Sequence, residues 1–209
     1  MTPITYEDRL NQDFDWALRE GSMHFEDKSA VHQALRCITE RLEDLGVPYA
    51  VAGGMALYFH GYRRFTEDVD ILITREGLST IHEALEGRGY LPPFSGSKNL
   101  RDTINGVRIE FLIAGDYPGD GKPKPVAFAD PTTCAVEIAG MKFLTLREII
   151  QLKLASGMTN AARLKDLGDV QELIATLSLP ESVADDLDPF VRAKYRELWS
   201  AVKADTSRE

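Results

Sequence analysis

The sequence predicts a mixed α/β protein, in which a small mixed β-sheet is flanked by helices and followed by a helical C-terminal segment. Short apolar strands alternate with amphipathic helices up to about residue 140 of the 209-residue chain. A strong hairpin signal lies between two strand-like segments, and the later periodicity is helical. We therefore divide the chain into an N-terminal helical segment (1–28), an α/β core (29–140) and a C-terminal helical segment (141–209).

The composition is typical of a soluble globular protein, since 44% of the residues are hydrophobic and 27% are charged. It excludes a disordered or fibrous chain. The formal net charge, 24 − 33 = −9, counts against general binding to nucleic acid or to an anionic membrane. No apolar run approaches the roughly 20 residues of a membrane helix, and residues 1–8 show no secretory signal. The two cysteines, Cys37 and Cys134, are expected to be small buried hydrophobes, so we predict a cytoplasmic protein with no membrane partner.

Two helical patterns precede the predicted sheet. In the N-terminal segment, Leu10, Phe14 and Leu18 recur at helical spacing, which predicts a helix docked through that face. Ser29 is a favourable N-cap for the next helix, which carries one apolar stripe. Gly46 is expected to end that helix.

The predicted sheet begins with a buried strand at residues 48–52, which runs into Gly53-Gly54. A short helix is expected from Met55 to His60. Residues 68–73 alternate between polar and apolar side chains and predict a second strand. An amphipathic helix follows and ends near Gly87.

A β-hairpin is predicted in the middle of the chain. Asn105-Gly106 favours a tight turn between strands at residues 98–104 and 107–113. Residues 115–131 contain several Gly and Pro residues and predict a long loop. One more strand is expected at residues 134–138.

The C-terminal segment carries clear helix signals. Thr145-Leu146-Arg147-Glu148 fits a capping box, which predicts a helix that begins at Thr145. We expect this helical region to break at Gly157 and again at Pro180, because both residue types disfavour a helix interior.

Paired carboxylates are the first feature with a chemical implication. On a strand, Asp68 and Asp70 point to the same face, while the apolar residues between and after them point to the other. Two adjacent like charges repel, and oxygen-rich sites of this kind suit Mg²⁺. An acidic pair on a solvated strand edge is the alternative.

Glu110 strengthens the metal hypothesis. It lies on the polar face of the second hairpin strand, so three carboxylates converge if this strand pairs with that of Asp68 and Asp70. Such a cluster can hold two metals that clamp the attacking and leaving oxygens of a phosphoryl transfer. Arg108 shares the face of Glu110, and a simple surface ion pair between the two is the alternative.

Residues before the acidic pair are candidates for phosphate binding. Gly53 and Gly54 stand between a strand and a helix, where glycine lets a phosphate approach the backbone. Arg64 and Thr66 are suitable contacts for a triphosphate. The alternatives are a tight turn without a ligand and solvated loop residues.

A lysine lies on the apolar face of the first C-terminal helix. Lys153 falls near the middle of that face, and burial of an unpaired cation is costly. On the next helix, Asp166 falls inside the apolar arc and Asp169 lies at its edge. Lys153 therefore either forms a buried pair with Asp166 or reaches nucleotide phosphates while Asp166 orients it, and the two roles are compatible.

Several short motifs resemble those of the DNA polymerase β-like nucleotidyltransferase superfamily. They occur in the order Ala52-Gly53-Gly54-Met55-Ala56-Leu57, Arg64-Phe65-Thr66-Glu67-Asp68-Val69-Asp70 and Ile109-Glu110. More narrowly, they are similar to AbiEii-type toxin nucleotidyltransferases, together with Leu152-Lys153-Leu154-Ala155 and Arg163-Leu164-Lys165-Asp166-Leu167-Gly168-Asp169-Val170. The resemblance spans about residues 46–175.

The resemblance implies a nucleotidyltransferase fold and transfer of a nucleoside monophosphate from an NTP, with Mg²⁺, expected as two ions, in the active site. It assigns Asp68, Asp70 and Glu110 to the metals and to catalysis, and the C-terminal segment then completes the nucleotide site. The residues expected to bind the nucleotide are Gly53, Gly54, Arg64, Thr66, Lys153 and Asp166.

The resemblance also implies partners: an acceptor that is RNA, protein or a small molecule, and a cognate antitoxin or regulator of a toxin-antitoxin pair. The competing hypothesis is a nucleotide-binding or partner-binding module that keeps the fold but has little turnover. Three repelling acids argue against it, because a catalytically inactive copy has no physical need to keep them together.

Overall fold

The computed structural model describes residues 4–206 and contains a seven-stranded mixed sheet with helices packed against it. The strands are β1 (Tyr49–Val51), β2 (Asp68–Ile73), β3 (Tyr90–Leu91), β4 (Leu100–Asp102), β5 (Arg108–Ile113), β6 (Ala135–Ile138) and β7 (Met141–Leu144). The helices are α1 (Tyr6–Gln12), α2 (Phe14–Phe25), α3 (Ala30–Asp44), α4 (Gly53–Phe59), α5 (Arg75–Leu85), α6 (Pro131–Cys134), α7 (Leu146–Thr159), α8 (Leu164–Thr176), α9 (Val183–Asp186) and α10 (Pro189–Thr206). The predicted α/β fold class is confirmed, while residues 1–3 and 207–209 of the outer segments lie outside the described residues.

The strand order is β3-β4-β5-β2-β1-β7-β6. Strand β2 lies at the centre, antiparallel to β1 and parallel to β5. In the β2–β5 register, Asp68 lies opposite Arg108 and Asp70 lies opposite Glu110. The polar faces of these two strands therefore form one continuous surface, because side chains that pair across neighbouring strands lie on the same side of a sheet.

The predicted hairpin is present with shorter strands than the sequence suggested. Strands β4 and β5 pair antiparallel, with Leu100 opposite Ile109. Gly106 has φ +73°, which suits glycine. The Asp102 carboxylate accepts hydrogen bonds from the backbone N–H groups of Ile104 and Asn105, so the turn closes through a side chain.

The N-terminal segment differs from its prediction. The helix divides at Asp13, whose carboxylate caps α2 by accepting from the Trp16 N–H. Phe14 and Leu18 are exposed, and the buried side chains of this region include Tyr6 and His24. Leu10 packs against the core as expected, but the docking face predicted for Phe14 and Leu18 was wrong, because a new helix begins after Asp13.

Helix α7 begins at the predicted position, but it continues through Gly157, where a break was predicted. Thr145 caps the helix by accepting from the Glu148 N–H at 3.3 Å, whereas the Thr145 N–H donates to the Cys134 carbonyl. The capping box is therefore only half formed. Gly157 lies inside α7, where a Cβ atom would stand 2.6 Å from Leu167 Cγ, so this glycine serves close packing on α8 instead of ending a helix.

The sheet continues past the predicted core boundary at residue 140. Strand β7 forms a hairpin with β6 and also lies parallel to β1, with Phe143 opposite Val51. One continuous hydrophobic core joins α3, the sheet and the C-terminal helices. Cys134 is buried as expected, whereas Cys37 is exposed on α3, contrary to its prediction.

A membrane-spanning helix is not found in the described part of the chain, since no helix there combines the required length and apolar character.

Candidate functional site

Three carboxylates converge on the polar face of β2 and β5. One oxygen atom each from Asp68, Asp70 and Glu110 lies within 4.8 Å of the other two. Across residues 4–206, no other group of His, Cys, Asp or Glu side chains meets in this way. The predicted convergence is confirmed, and it follows from the parallel pairing that places Asp70 beside Glu110.

The Asp70 carboxyl is the most strongly perturbed of the three. Burial, followed by the nearby charges of Asp68 and Glu110, raises the pKa of Asp70 to about 7, against the partial compensation of Lys153 and Arg163. The apo protein therefore holds this group close to its protonation midpoint at neutral pH. A divalent cation would relieve the repulsion that raises the pKa.

The glycine pair lies against the acidic site. Gly53 has φ +57°, and a Cβ atom there would lie 1.7 Å from Asp70 Oδ2. At Gly54 a Cβ atom would lie 2.6 Å from Thr66 Cβ. Both positions need glycine because the neighbouring side chains pack directly on the backbone. The Thr66 hydroxyl in turn donates to Asp68 Oδ1 at 2.8 Å, so this packing helps to orient the carboxylate.

Arg108 occupies the edge of the acidic site. Its Nη2 donates to Asp68 Oδ2 at 3.1 Å and lies 2.9 Å from Glu110 Oε1. The ion pair with Glu110, which the sequence offered as the alternative to a metal site, is therefore present together with the carboxylate cluster. Burial acts to lower the pKa of Arg108, but the carboxylates of Glu110, Asp68 and Glu7 outweigh it and raise that pKa.

A second charged cluster lies on α7 and α8. Lys153 Nζ donates to Asp166 Oδ1 at 3.0 Å and to Asp169 Oδ2 at 2.7 Å. The predicted pair with Asp166 is thus present. Asp169 also binds the Arg64 guanidinium, with Nη2 donating to Oδ2 at 3.2 Å. Arg64 therefore lines the cleft and also forms an ion pair with Asp169 on α8.

Asp166 is the centre of this second cluster. Besides Lys153, it accepts from the Ser156 hydroxyl at 2.6 Å and from Arg163 Nε at 3.0 Å. Burial acts to raise the pKa of Asp166, but Lys153, Ser156 and Arg163 outweigh it, so that pKa is lowered. The carboxylate stays charged and holds the two cations in place.

Residues of both clusters line one cleft of about 860 Å³. This volume suits a nucleotide-sized ligand. All of the residues that the sequence singled out for the site line this cleft, namely Gly53, Gly54, Arg64, Thr66, Asp68, Asp70, Glu110, Lys153 and Asp166. Their proximity is established by the structure, while their roles in binding and catalysis stay predictions.

The loop predicted at residues 115–131 contributes several residues to the lining of the cleft. Gly119 has φ +76° and packs so closely on α7 that a Cβ atom would stand 2.8 Å from the Ser156 carbonyl oxygen. Asn160 Nδ2 donates to the Gly119 carbonyl at 3.1 Å. The loop is thereby tied to the helix that carries Lys153.

The arrangement fits divalent metal ions on chemical grounds. The three carboxylates offer hard oxygen donors on one face, which is the donor set that Mg²⁺ prefers. Lys153, Arg163 and Lys165 line the same cleft, and we call these three residues its basic wall. A cleft that combines such carboxylates with a basic wall can hold a polyphosphate between metal ions and cationic side chains.

Two contributors were not assigned to the site from the sequence. Asp169 lay at the edge of a helical arc, and its pairing with Arg64 depends on how the loop before β2 packs on α8. Ser156 gave no separate signal, because a serine in a helix is common. Their helical spacing from Asp166 and Lys153, three residues in each case, is the sequence feature that places each pair on one face.

Comparison with known proteins identifies the fold. No family model and no curated protein matches the chain. The crystal structure of ANT(2'')-Ia in complex with adenylyl-2''-tobramycin is similar, with a TM-score of 0.50 and 16% sequence identity over 79% of this chain and 96% of that chain. The solution structure of the antibiotic-resistance factor ANT(2'')-Ia is similar with a TM-score of 0.52 and 15% identity, covering 84% and 96% of the two chains. At this identity the likeness shows a shared nucleotidyltransferase fold and nothing further.

Proposed function

We propose that this protein is a Mg²⁺-dependent nucleotidyltransferase, which moves a nucleoside monophosphate from an NTP to an acceptor hydroxyl. The observation that carries the proposal is the convergence of Asp68, Asp70 and Glu110 in a cleft that Lys153, Arg163 and Lys165 also line. Neither the carboxylate cluster nor the basic residues alone would be sufficient, since acidic clusters and basic surfaces both occur without a ligand. Together they match a metal-bound triphosphate in charge and in size.

In this proposal the three carboxylates hold the metal ions, and two Mg²⁺ ions are expected. Asp68 and Asp70 would contact both, and Glu110 would complete the set. When bound, the metals supply charge neutralisation for the phosphates and lower the pKa of the attacking hydroxyl. Thr66 orients Asp68 through its hydrogen bond, and Gly53 lets Asp70 approach the backbone.

The basic wall binds the triphosphate. Lys153 is held by Asp166 and Asp169 through two of its three ammonium protons. We infer that the third ammonium proton is directed at phosphate. The two carboxylates then orient the lysine and still leave it one donor for the nucleotide. Arg64 and the backbone at Gly53 and Gly54 contribute further phosphate contacts in this arrangement.

The proposed reaction is an in-line displacement. The acceptor oxygen forms a bond to the α-phosphorus while the bond from that phosphorus to the bridging oxygen of the β-phosphate breaks. Pyrophosphate leaves with the bond electrons, and the hydroxyl proton passes to Glu110 or a neighbouring carboxylate. The products are a nucleotidylated acceptor and pyrophosphate, so atoms and charge balance.

The acceptor is RNA, a protein or a small molecule, and the resemblance to toxins favours a role in a toxin-antitoxin pair. The similar structure of ANT(2'')-Ia is a complex with adenylyl-2''-tobramycin, which supports a small molecule as one class of acceptor on this fold. A nucleotide-binding or partner-binding module with little turnover is the competing function.

The test is transfer of an α-labelled NTP in the presence of Mg²⁺. The protein is incubated with each labelled NTP together with RNA, protein and small-molecule fractions of a cell lysate. Wild type is compared with the double variant Asp68→Asn/Asp70→Asn and with Asp44→Asn, which removes an exposed carboxylate on α3. Wild type and Asp44→Asn are expected to transfer label to one of the fractions. The Asp68→Asn/Asp70→Asn variant is expected to transfer none.

The outcomes separate the two functions. Nucleotide binding without label transfer in any fraction would favour the binding module. Transfer that persists in the Asp68→Asn/Asp70→Asn variant would refute the metal site.

A further inference from the structure

Arg108 contacts two of the three carboxylates through one atom. Its Nη2 stands 3.1 Å from Asp68 Oδ2 and 2.9 Å from Glu110 Oε1. A guanidinium that binds these oxygens uses the same lone pairs that a metal ion needs. In the metal-free protein, Arg108 therefore acts as the counter-ion of the acidic site.

A third carboxylate offers Arg108 an alternative partner. Glu7 on α1 places Oε1 3.9 Å from Arg108 Nε, and its side chain is only 25% exposed. Within the described residues, Arg108 Nε is buried and donates to no acceptor at hydrogen-bond distance. A small rotation toward Glu7 would give this orphaned donor a partner.

Glu7 is held near Arg108 by the hairpin. It pairs with Arg101 at 2.7 Å, and Arg101 lies directly opposite Arg108 in the β4–β5 register. The backbone N–H of Tyr6 donates to the Gly106 carbonyl at 3.1 Å, which joins the start of α1 to the hairpin turn. The Glu7 carboxylate is thus held beside Arg108 by its pairing with Arg101 and by the link between α1 and the hairpin turn.

We propose that Arg108 is a built-in counter-cation that competes with metal: it binds Asp68 and Glu110 when they hold no metal, and moves to Glu7 when divalent cations bind. This inference rests on the proposed metal site and adds a residue that sets its affinity. Arg108 is a positioning residue, since it acts on the metals through the carboxylates and through Glu7.

The competition has a definite thermodynamic sign. Metal binding must break the contacts of Arg108 with Asp68 and Glu110, so those contacts lower the apparent metal affinity. A contact with Glu7 stabilises the displaced arginine and raises that affinity. Removing Arg108 and removing Glu7 therefore have opposite effects, which a merely structural role for either residue would not produce.

The test is isothermal titration calorimetry of Mg²⁺ alone into nucleotide-free protein at one pH and ionic strength. Arg108→Gln is expected to bind Mg²⁺ about tenfold more tightly than wild type, because a cation within about 4 Å of the site is removed. Glu7→Gln is expected to bind severalfold more weakly. The double variant should match Arg108→Gln, since Glu7 has no effect once Arg108 is absent.

Two variants control for net charge and for folding. Arg196→Gln and Glu197→Gln make the same charge changes on α10, away from the residues that line the cleft. Both are expected to keep the wild-type affinity. Far-UV circular dichroism of every variant without metal checks that the fold is intact.

Each outcome of these Mg²⁺ titrations either supports or overturns the proposed role of Arg108. Unchanged or weaker Mg²⁺ binding by Arg108→Gln overturns the counter-cation, as does equal tightening in Arg196→Gln. Glu7→Gln binding as tightly as wild type overturns the second position of Arg108. If neither wild type nor any variant binds Mg²⁺, the proposed metal site itself is wrong, whereas binding that is indifferent to Arg108 leaves that site standing.

Discussion

Two aspartates in the same cleft show how neighbours set the charge of a residue. Asp70 meets Asp68 and Glu110, and its pKa is raised to about 7 by burial together with those charges. Asp166 is buried as well, yet Lys153, Ser156 and Arg163 outweigh burial and lower its pKa. The cations beside Asp166 outweigh its burial, whereas those near Asp70 do not. This difference is the electrostatic reason to place the proposed metal beside Asp70.

The first prediction concerns the stability of the apo protein. Asp70→Asn should raise the free energy of unfolding at pH 8 by up to about 4 kcal/mol. The folded-state pKa lies above the ordinary value of 3.8, so the wild-type protein loses stability as pH rises from about 4 through 7. The variant carries no charge there, and its advantage should vanish at pH 4. Urea unfolding at both pH values measures the difference.

The control for this prediction is Asp44→Asn, which removes an exposed carboxylate and should leave stability nearly unchanged. Mg²⁺ should stabilise the wild type at pH 8 and have little effect on Asp70→Asn. An equal advantage of the variant at pH 4 and pH 8 would show that it arises from packing and not from charge.

Buried histidines next to the loop before β2 lead to a second prediction. His32 is 1% exposed, and burial together with the charge of His24 lowers its pKa to about 4. As pH falls from 6.5 toward 4, the unfolded chain takes up a proton that the native His32 does not bind. Stability should therefore decline by roughly 3 kcal/mol over this range because of this residue.

The measurement compares urea unfolding of wild type and His32→Asn between pH 7 and pH 4.5. The variant loses packing, so its stability at pH 7 should be lower, but the slope of stability against pH should be smaller. His82→Gln on α5 is the control, because it removes a histidine that lies outside the buried His24–His32 cluster. A slope in His32→Asn equal to that of wild type would contradict the assignment.

Elements with a strong pattern over several residues were predictable from the sequence. Strands β2 and β5 alternate strictly, and α3 has a clear cap and apolar stripe. Strands β3 and β7 were not predicted, since two to four residues carry too little periodicity, and they exist because neighbouring strands complete them. The break at Asp13 was missed for a related reason: a side-chain cap can divide a helical pattern without any change in polarity.

The same limits apply to the site. Alternation on β2 and β5 placed Asp68, Asp70 and Glu110 on matching faces, so their convergence needed only the assumption that the two strands pair. The pairing of Asp169 with Arg64 joins residues more than a hundred positions apart and depends on the docking of α8. No local pattern encodes such a contact.

The packing of α7 on α8 yields a third prediction. Gly157→Ala should destabilise the protein by about 1–2 kcal/mol, because the new methyl group would lie 2.6 Å from Leu167 Cγ and push the helices apart. The gain in helix propensity, about 1 kcal/mol, offsets only part of this cost. Separation of the helices should also loosen the contact of Lys153 with Asp166, so nucleotide affinity should fall.

Gly168 on α8 is the matched control. A Cβ atom there meets nothing within 4 Å, so Gly168→Ala should stabilise the protein by up to about 1 kcal/mol and leave nucleotide affinity unchanged. Urea unfolding and equilibrium nucleotide binding measure both variants. If Gly157→Ala stabilises the protein as much as Gly168→Ala does, the two helices can separate at no cost and the close contact is unimportant.

At the scale of the whole molecule, the cleft joins the sheet to the C-terminal helices. The carboxylates come from the sheet, Lys153 and Asp166 come from the C-terminal helices, and Glu7 on the N-terminal helix reaches the cleft only through Arg108. The net charge of the chain is −9, yet the cleft combines carboxylates with Lys153, Arg163 and Lys165. Net charge is therefore a poor guide to the ligand of this protein.

A single core under all three segments predicts one cooperative unfolding transition. The two tryptophans report on the N-terminal and C-terminal helices: Trp16 packs on Tyr6 at 5.4 Å between ring centres, and Trp199 Nε1 donates to the Leu179 carbonyl at 3.0 Å. Trp199→Phe leaves Trp16 as the probe, and Trp16→Phe leaves Trp199. In each variant, fluorescence and far-UV circular dichroism should give the same urea midpoint.

The same tryptophan variants can test whether a ligand bound in the cleft stabilises the whole cooperative unit. Mg²⁺ with nucleotide at about a hundredfold excess over Kd should raise the free energy of unfolding by about 2.7 kcal/mol, and by the same amount for both tryptophan probes. The shift is common to both because a ligand held between the sheet and the C-terminal helices stabilises the entire cooperative unit. A shift seen by Trp199 but not by Trp16 would mean that the N-terminal helices unfold separately, and Glu7 would then have no fixed place beside Arg108.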